Sequence, residues 1–182
     1  MTDESLAIDY GSHPTVQCLL DTMSYCLEGI SMGFDRYGEP LVKGPGAYFV
    51  VVTGHSVAEF ADPMGDNRWP IGDCLEVLAD VDCFYEAARD VSLSNDGAVI
   101  VSVDGVITEQ MVRIKDDPAG EDVEYADWMG SRHMSAIDTS LRTDVVATMT
   151  LSEESGRVSR FVDGEITTTQ REKIGGPWRT VE

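Results

Sequence analysis

Lysine is scarce in this chain. Only Lys43, Lys115 and Lys173 accompany ten arginines, against 33 acidic residues in a total of 182, and the formal net charge is −20. A surface of that sign repels phosphate backbones instead of releasing their counterions, which argues against nucleic acid as a partner. No apolar run approaches the roughly 18 residues a membrane span needs. The opening Met1-Thr2-Asp3-Glu4-Ser5 has neither the basic end nor the apolar core of a secretory signal, so the expected location is the cytoplasm, with no membrane partner. The four cysteines (Cys18, Cys26, Cys74 and Cys83) form no C-x-x-C pair and read as small core residues of helical segments in a reducing compartment. His13, His55 and His133 never fall at ligand spacing on one helix, so there is no H-E-x-x-H zinc site. A G-x-x-x-x-G-K-[ST] loop is missing as well, and Gly44-Pro45-Gly46 precedes a strand, not a helix, so it is no dinucleotide fingerprint.

The acid excess, spread along the whole chain and paired with so few lysines, is the usage of a protein that works in molar salt. There the Debye length of about 3 Å screens self-repulsion. Hydrophobic residues make up 42% of the chain, enough for one globular domain over 1–182. Val16, Leu19, Leu20, Met23, Leu27 and Ile30 recur at intervals of three and four, predicting a helix over 14–30 with Pro14 in its first turn. The run Ala47 to Thr53 is continuously β-branched and aromatic after its first residue, with no polar alternation, as a buried strand requires. Residues 55–71 read as a long loop, and Asp80 as the N-cap of a helix through Val81, Phe84, Tyr85 and Ala88.

Two hairpins are expected at Asp104-Gly105 and Asp163-Gly164, each with the paired positive φ angles of a type I′ turn. Between them lie an acidic loop (116–127), a short helix (132–139) and a strand (145–151); residues 169–182 form a tail. A mixed central β-sheet flanked by helices, an α/β or α+β domain, accounts for this pattern.

Three stretches do not reduce to scaffolding. Asp96-Gly97-Ala98 has no strand before it, so its carboxylate stands at the entrance to a strand, where it can face a ligand. Gly130-Ser131-Arg132-His133-Met134-Ser135-Ala136 puts a hydroxyl and two side chains capable of positive charge at a helix start, where free backbone N–H groups suit phosphate oxygens. Ser152-Glu153-Glu154-Ser155-Gly156 closes a buried strand with adjacent acids, of which strand alternation lets at most one face the cleft. Each stretch also has an ordinary structural reading; together they suggest carboxylates for a divalent cation and a helix start for a polyphosphate.

In this order and spacing the three stretches resemble the signature of the diadenylate cyclase (DAC) domain family: Asp-Gly-Ala, then Gly-Thr-Arg-His-Arg-Ala-Ala, then Ser-Glu-Glu. The likeness covers about residues 40–168 and is nearest to the single-domain archaeal-type enzymes of halophiles. It implies condensation of two ATP molecules into cyclic di-AMP and two pyrophosphates, with Mn²⁺ or Mg²⁺, at the face-to-face contact of two protomers in a homodimer or higher oligomer. By the same resemblance Asp96 helps hold the metal and activates the ribose 3′-hydroxyl, while Gly97 and Ala98 admit the nucleotide to the backbone. Ser131, Arg132 and His133 bind the triphosphate, and Glu154, with Ser152 beside it, completes the metal site. Met134 departs from the pattern, replacing the family's second arginine. Arg113, Lys115 and Arg142 are the cations available to compensate, and a catalytically weakened ATP or cyclic di-AMP sensor is the alternative.

Overall fold

A computed structural model describes residues 9–54, 57, 59–64, 74–94, 96–116 and 123–175. Its centre is the apolar run predicted from composition: β1 (Ala47–Val52) is buried at every position. Phe49 and Val51 join one core cluster, while Tyr48, Val50 and Val52 join another on the opposite face, so the strand has no solvent side and no polar alternation.

Around it stand β2 (Ala61–Pro63), β3 (Ala98–Ser102), β4 (Ile107–Ile114), β5 (Val145–Leu151), β6 (Val158–Val162) and β7 (Glu165–Thr169). They form one seven-stranded sheet in the order β2-β4-β3-β1-β5-β6-β7. Only β1 and β3 run parallel; the other neighbours are antiparallel. The mixed α/β architecture expected from the sequence is therefore the one observed.

Helices α1 (Pro14–Met32) and α2 (Val81–Ser94) cover one face. All six apolar residues that predicted α1 are buried, and the helix runs two residues beyond its expected end, to the Gly33 C-cap. Asp80 caps α2 as expected, its Oδ1 accepting the Cys83 N–H at 3.0 Å. The other face is covered by α3 (Ser131–Ser140), whose Ala136 and Ile137 pack on Tyr48, Val50 and Phe161.

Four expectations need correction. The stretch 55–71 is not loop throughout, since β2 pairs with β4 and buries Ala61, although 55, 56, 58 and 65–71 lie outside the described residues. Asp163 (φ 49°) and Gly164 (φ 77°) make the expected type I′ turn, but at Asp104-Gly105 only Gly105 (φ 86°) is left-handed. There Ser102 N–H donates to the Val106 carbonyl and Gly105 N–H to the Ser102 carbonyl, a three-residue loop with one left-handed position. The tail expected from 169 is ordered through 175: Thr169 ends β7, a short helical turn spans Arg171–Lys173, and Ile174 is 1% exposed and part of the core. Of the cysteines, Cys26 and Cys74 are buried, but Cys18 is exposed, Cys83 is half-buried, and Cys74 lies outside any helix.

Candidate functional site

The sheet brings the N-terminal ends of β1 and β3 to the same edge as the C-terminal ends of β4 and β5, because the parallel and antiparallel pairings require it. α3 starts at that edge. The result is a cleft of about 720 Å³, and all eight residues singled out from the sequence line it: Asp96, Gly97, Ala98, Ser131, Arg132, His133, Ser152 and Glu154. Three segments far apart in the chain thus meet in one cavity.

Asp96 stands where β3 begins, its side chain 79% exposed. Gly97 follows with φ 96°, a backbone state that a side chain at Cβ would strain, and its N–H donates to Asp96 Oδ1 at 2.8 Å. Arg132 reaches across from α3 to the same Oδ1 at 3.3 Å. It does so through a slot beside the Gly44-Pro45-Gly46 loop, which carries no dinucleotide fingerprint. A Cβ at Gly46 would strike the Arg132 guanidinium and approach Glu153 Cβ at 3.1 Å. Gly44 is fixed beside it, its N–H donating to the Glu153 carbonyl at 2.9 Å. The glycines therefore shape the site through close approach to other segments.

Helix α3 begins at Gly130, an N-cap with extended backbone and no side-chain capping bond. The first-turn N–H groups are left without a side-chain acceptor, and the positive end of the helix dipole opens into the cleft. Ser131 is the first helical residue, so its hydroxyl is not spent as the cap.

His133 does not behave as the cation that its sequence neighbours suggested. It is 6% exposed, and burial first, then the Arg157 and Arg132 charges, lower its pKa to about 4, leaving a neutral imidazole near pH 7. Its ring meets Trp128 edge-on at 5.2 Å, and the Arg157 guanidinium lies 4.3 Å above the Trp128 ring. Among the described residues Nε2 is buried without a hydrogen-bond partner.

At the end of β5, Ser152 Oγ accepts the N–H groups of Glu154 (3.4 Å) and Ser155 (3.3 Å), organising the turn that presents the acids. Both Glu153 and Glu154 line the cleft. This corrects the expectation of one: the strand ends at Leu151, and the acids sit on a turn where alternation no longer applies. Glu153 is engaged by Lys43 at 3.3 Å.

The cleft therefore carries three cations (Lys43, Arg113 and Arg132) and three acids (Asp96, Glu153 and Glu154), a local balance inside a chain of charge −20. Among the described residues no three His, Cys, Asp or Glu side chains gather into a metal cage. That donor set fits a hard cation held by one or two carboxylates and completed by phosphate oxygens, the usual arrangement for Mg²⁺. No described helix is long and apolar enough to cross a membrane.

A mixed sheet with a helix N-terminus, an arginine and carboxylates at one edge is the outline of a nucleotide-binding domain. Residues 44–166 match the DAC family, described as the DisA bacterial checkpoint controller nucleotide-binding domain, and the chain belongs to that family. Among solved structures it is similar to DacA from Staphylococcus aureus, a double mutant, with a TM-score of 0.51 and 19% identity over 90% of this chain and 97% of that one. It is also similar to a hypothetical membrane spanning protein from Bacillus cereus, with a TM-score of 0.55 and 17% identity over 83% of this chain. The match spans 63% of the Bacillus cereus chain. No curated protein matches by sequence.

Proposed function

We propose that the protein is a diadenylate cyclase, joining two ATP molecules into cyclic di-AMP with release of two pyrophosphates. One observation carries the reading: the Asp-Gly-Ala, Ser-Arg-His and Ser-Glu-Glu segments line one cleft inside the family match. Asp96 and Glu154 are the residues to hold a divalent cation with the phosphate oxygens, and that ion supplies charge neutralisation on the triphosphate. The N–H groups of α3, the Ser131 hydroxyl and the Arg132 guanidinium bind phosphate oxygens, and neutral His133 contributes a hydrogen bond without charge. Gly97 lets the nucleotide approach the backbone.

Each cleft takes one ATP, and two protomers meet cleft to cleft. The 3′-oxygen of one nucleotide attacks the α-phosphorus of the other, its proton passes to the Asp96 carboxylate, and the bond to the β-phosphate breaks to free pyrophosphate. The reciprocal attack closes the ring. Positioning and charge stabilisation carry most of such a transfer. The acid excess supports activity in concentrated salt. Purified protein with ATP and Mn²⁺ in molar potassium chloride is expected to yield cyclic di-AMP, identified by mass spectrometry, and two pyrophosphates per product. Folded, oligomeric protein that yields none would overturn the reading.

Met134 does not favour the sensor alternative. Its side chain is partly buried and packs on the same apolar cluster as Ile114, Val123 and Ala126, and it does not line the cleft. Met134→Arg is expected to lower stability by about 1–3 kcal/mol through lost packing while leaving turnover within about threefold. Thermal melts and initial rates check this, and a tenfold gain in rate would favour a degenerate sensor.

A further inference from the structure

The described arginines are almost all engaged, as an acidic chain leads one to expect. Arg36, Arg89, Arg132, Arg160 and Arg171 are ion-paired. Arg157 lies on Trp128. Arg142 donates to the Lys115 carbonyl at 2.9 Å and stacks on Phe60 at 4.9 Å. Arg113 is the exception. It is exposed and lines the cleft, and among the described residues it has no hydrogen bond, ion pair or ring contact.

Its place in the sheet sharpens the point. β3 and β4 pair Ala98 with Val112, so one antiparallel step further sets Arg113 across from Gly97, next to Asp96. On its other side β2 offers Asp62 as direct cross-strand partner. That carboxylate goes instead to Lys115, 3.1 Å away. Of the three cations at the cleft, Lys43 and Arg132 already hold carboxylates, and Arg113 alone does not. A guanidinium left without an acid among the described residues, in a chain of charge −20, is available for an anion from outside the fold.

We infer that Arg113 is a phosphate-binding residue of this cleft, supplying from β4 the second cation that position 134, packed into the apolar cluster, does not supply from α3. The inference rests on the proposed ATP chemistry and extends it to a residue outside the three motifs. It also separates the three compensating candidates raised by the sequence. Arg142 is committed to Phe60 and the Lys115 carbonyl, Lys115 is paired with Asp62, and Arg113 is neither.

The test is calorimetric titration of the full chain with ATP and with inorganic tripolyphosphate, on wild type, Arg113→Gln and Arg113→Lys, with melting temperature and solution size recorded for each. Arg113→Gln is expected to weaken both ligands about tenfold and Arg113→Lys less, with melting and size unchanged; in turnover KM rises more than kcat falls. Binding by Arg113→Gln within twofold of wild type overturns the inference while leaving the cyclase reading intact. A loss of oligomer in Arg113→Gln with tripolyphosphate binding preserved also overturns it, and assigns the guanidinium to an acid of a second copy. Wild type that binds neither ligand removes the cyclase reading, and this inference with it.

Discussion

Asp96→Asn is expected to reduce cyclic di-AMP formation by about 10³-fold while the fold survives. The side chain is 79% exposed, and its ion pair with Arg132, at 3.3 Å on the surface, is worth at most about 1 kcal/mol. The asparagine Oδ1 can still accept the Gly97 N–H, so entry into β3 is kept. On the proposed chemistry, what disappears is the anionic oxygen that would complete a cation site and take the 3′-hydroxyl proton, which an amide cannot replace. Steady-state rates with product identification, beside a thermal melt, decide the matter. A variant that melts like wild type and retains more than a tenth of its rate would remove Asp96 from the chemistry.

The second large effect is on acid stability. His133 is uncharged in the folded protein down to about pH 4, whereas in the unfolded chain it takes up a proton near its ordinary value of 6.5. Between those values the unfolded state binds more protons, so stability is full above about 6.5 and falls as pH drops toward 4. The loss is on the order of 3 kcal/mol across the window, driven mainly by burial of the ring. Urea titrations of wild type and His133→Gln at several pH values isolate it from the carboxylates. The wild-type curve is expected to fall more steeply than the variant's between pH 6.5 and 4, and parallel curves would refute the buried-imidazole account.

The central elements were legible because their burial leaves a mark in the sequence. β5 runs from Val145 to Leu151 as expected, and β1 is one residue shorter than its apolar run. β2 was not legible: three residues ending in Pro63 carry too little periodicity to register, and an edge strand tolerates a proline that an inner one would not. The two Asp-Gly pairs show the limit of a dipeptide signal, since the turn type depends on the register that the flanking strands impose. β3 and β4 carry register shifts, and β6 and β7 do not.

In the candidate site, the motif residues were readable from order and spacing. Gly46, Trp128 and Arg157 were not, because each acts through contacts or a vacancy between segments distant in the chain, and Arg113 was readable only as one of three candidate cations, which its partners in the fold tell apart. No local pattern records that a glycine is empty for the sake of an arginine 86 residues later.

That vacancy has an energetic meaning. A free arginine side chain gives up as much as about 2 kcal/mol of rotational entropy when it is held in one pose. Here the wall at residue 46 and the turn at residue 153 hold Arg132 as part of the native packing, leaving only 22% of its side chain open to water. The ordering is completed when the chain folds, so on the proposed role of Arg132 an arriving phosphate would meet a guanidinium already ordered. If Arg132 binds phosphate as proposed, affinity at this edge of the sheet is set partly by a position that need never touch the anion.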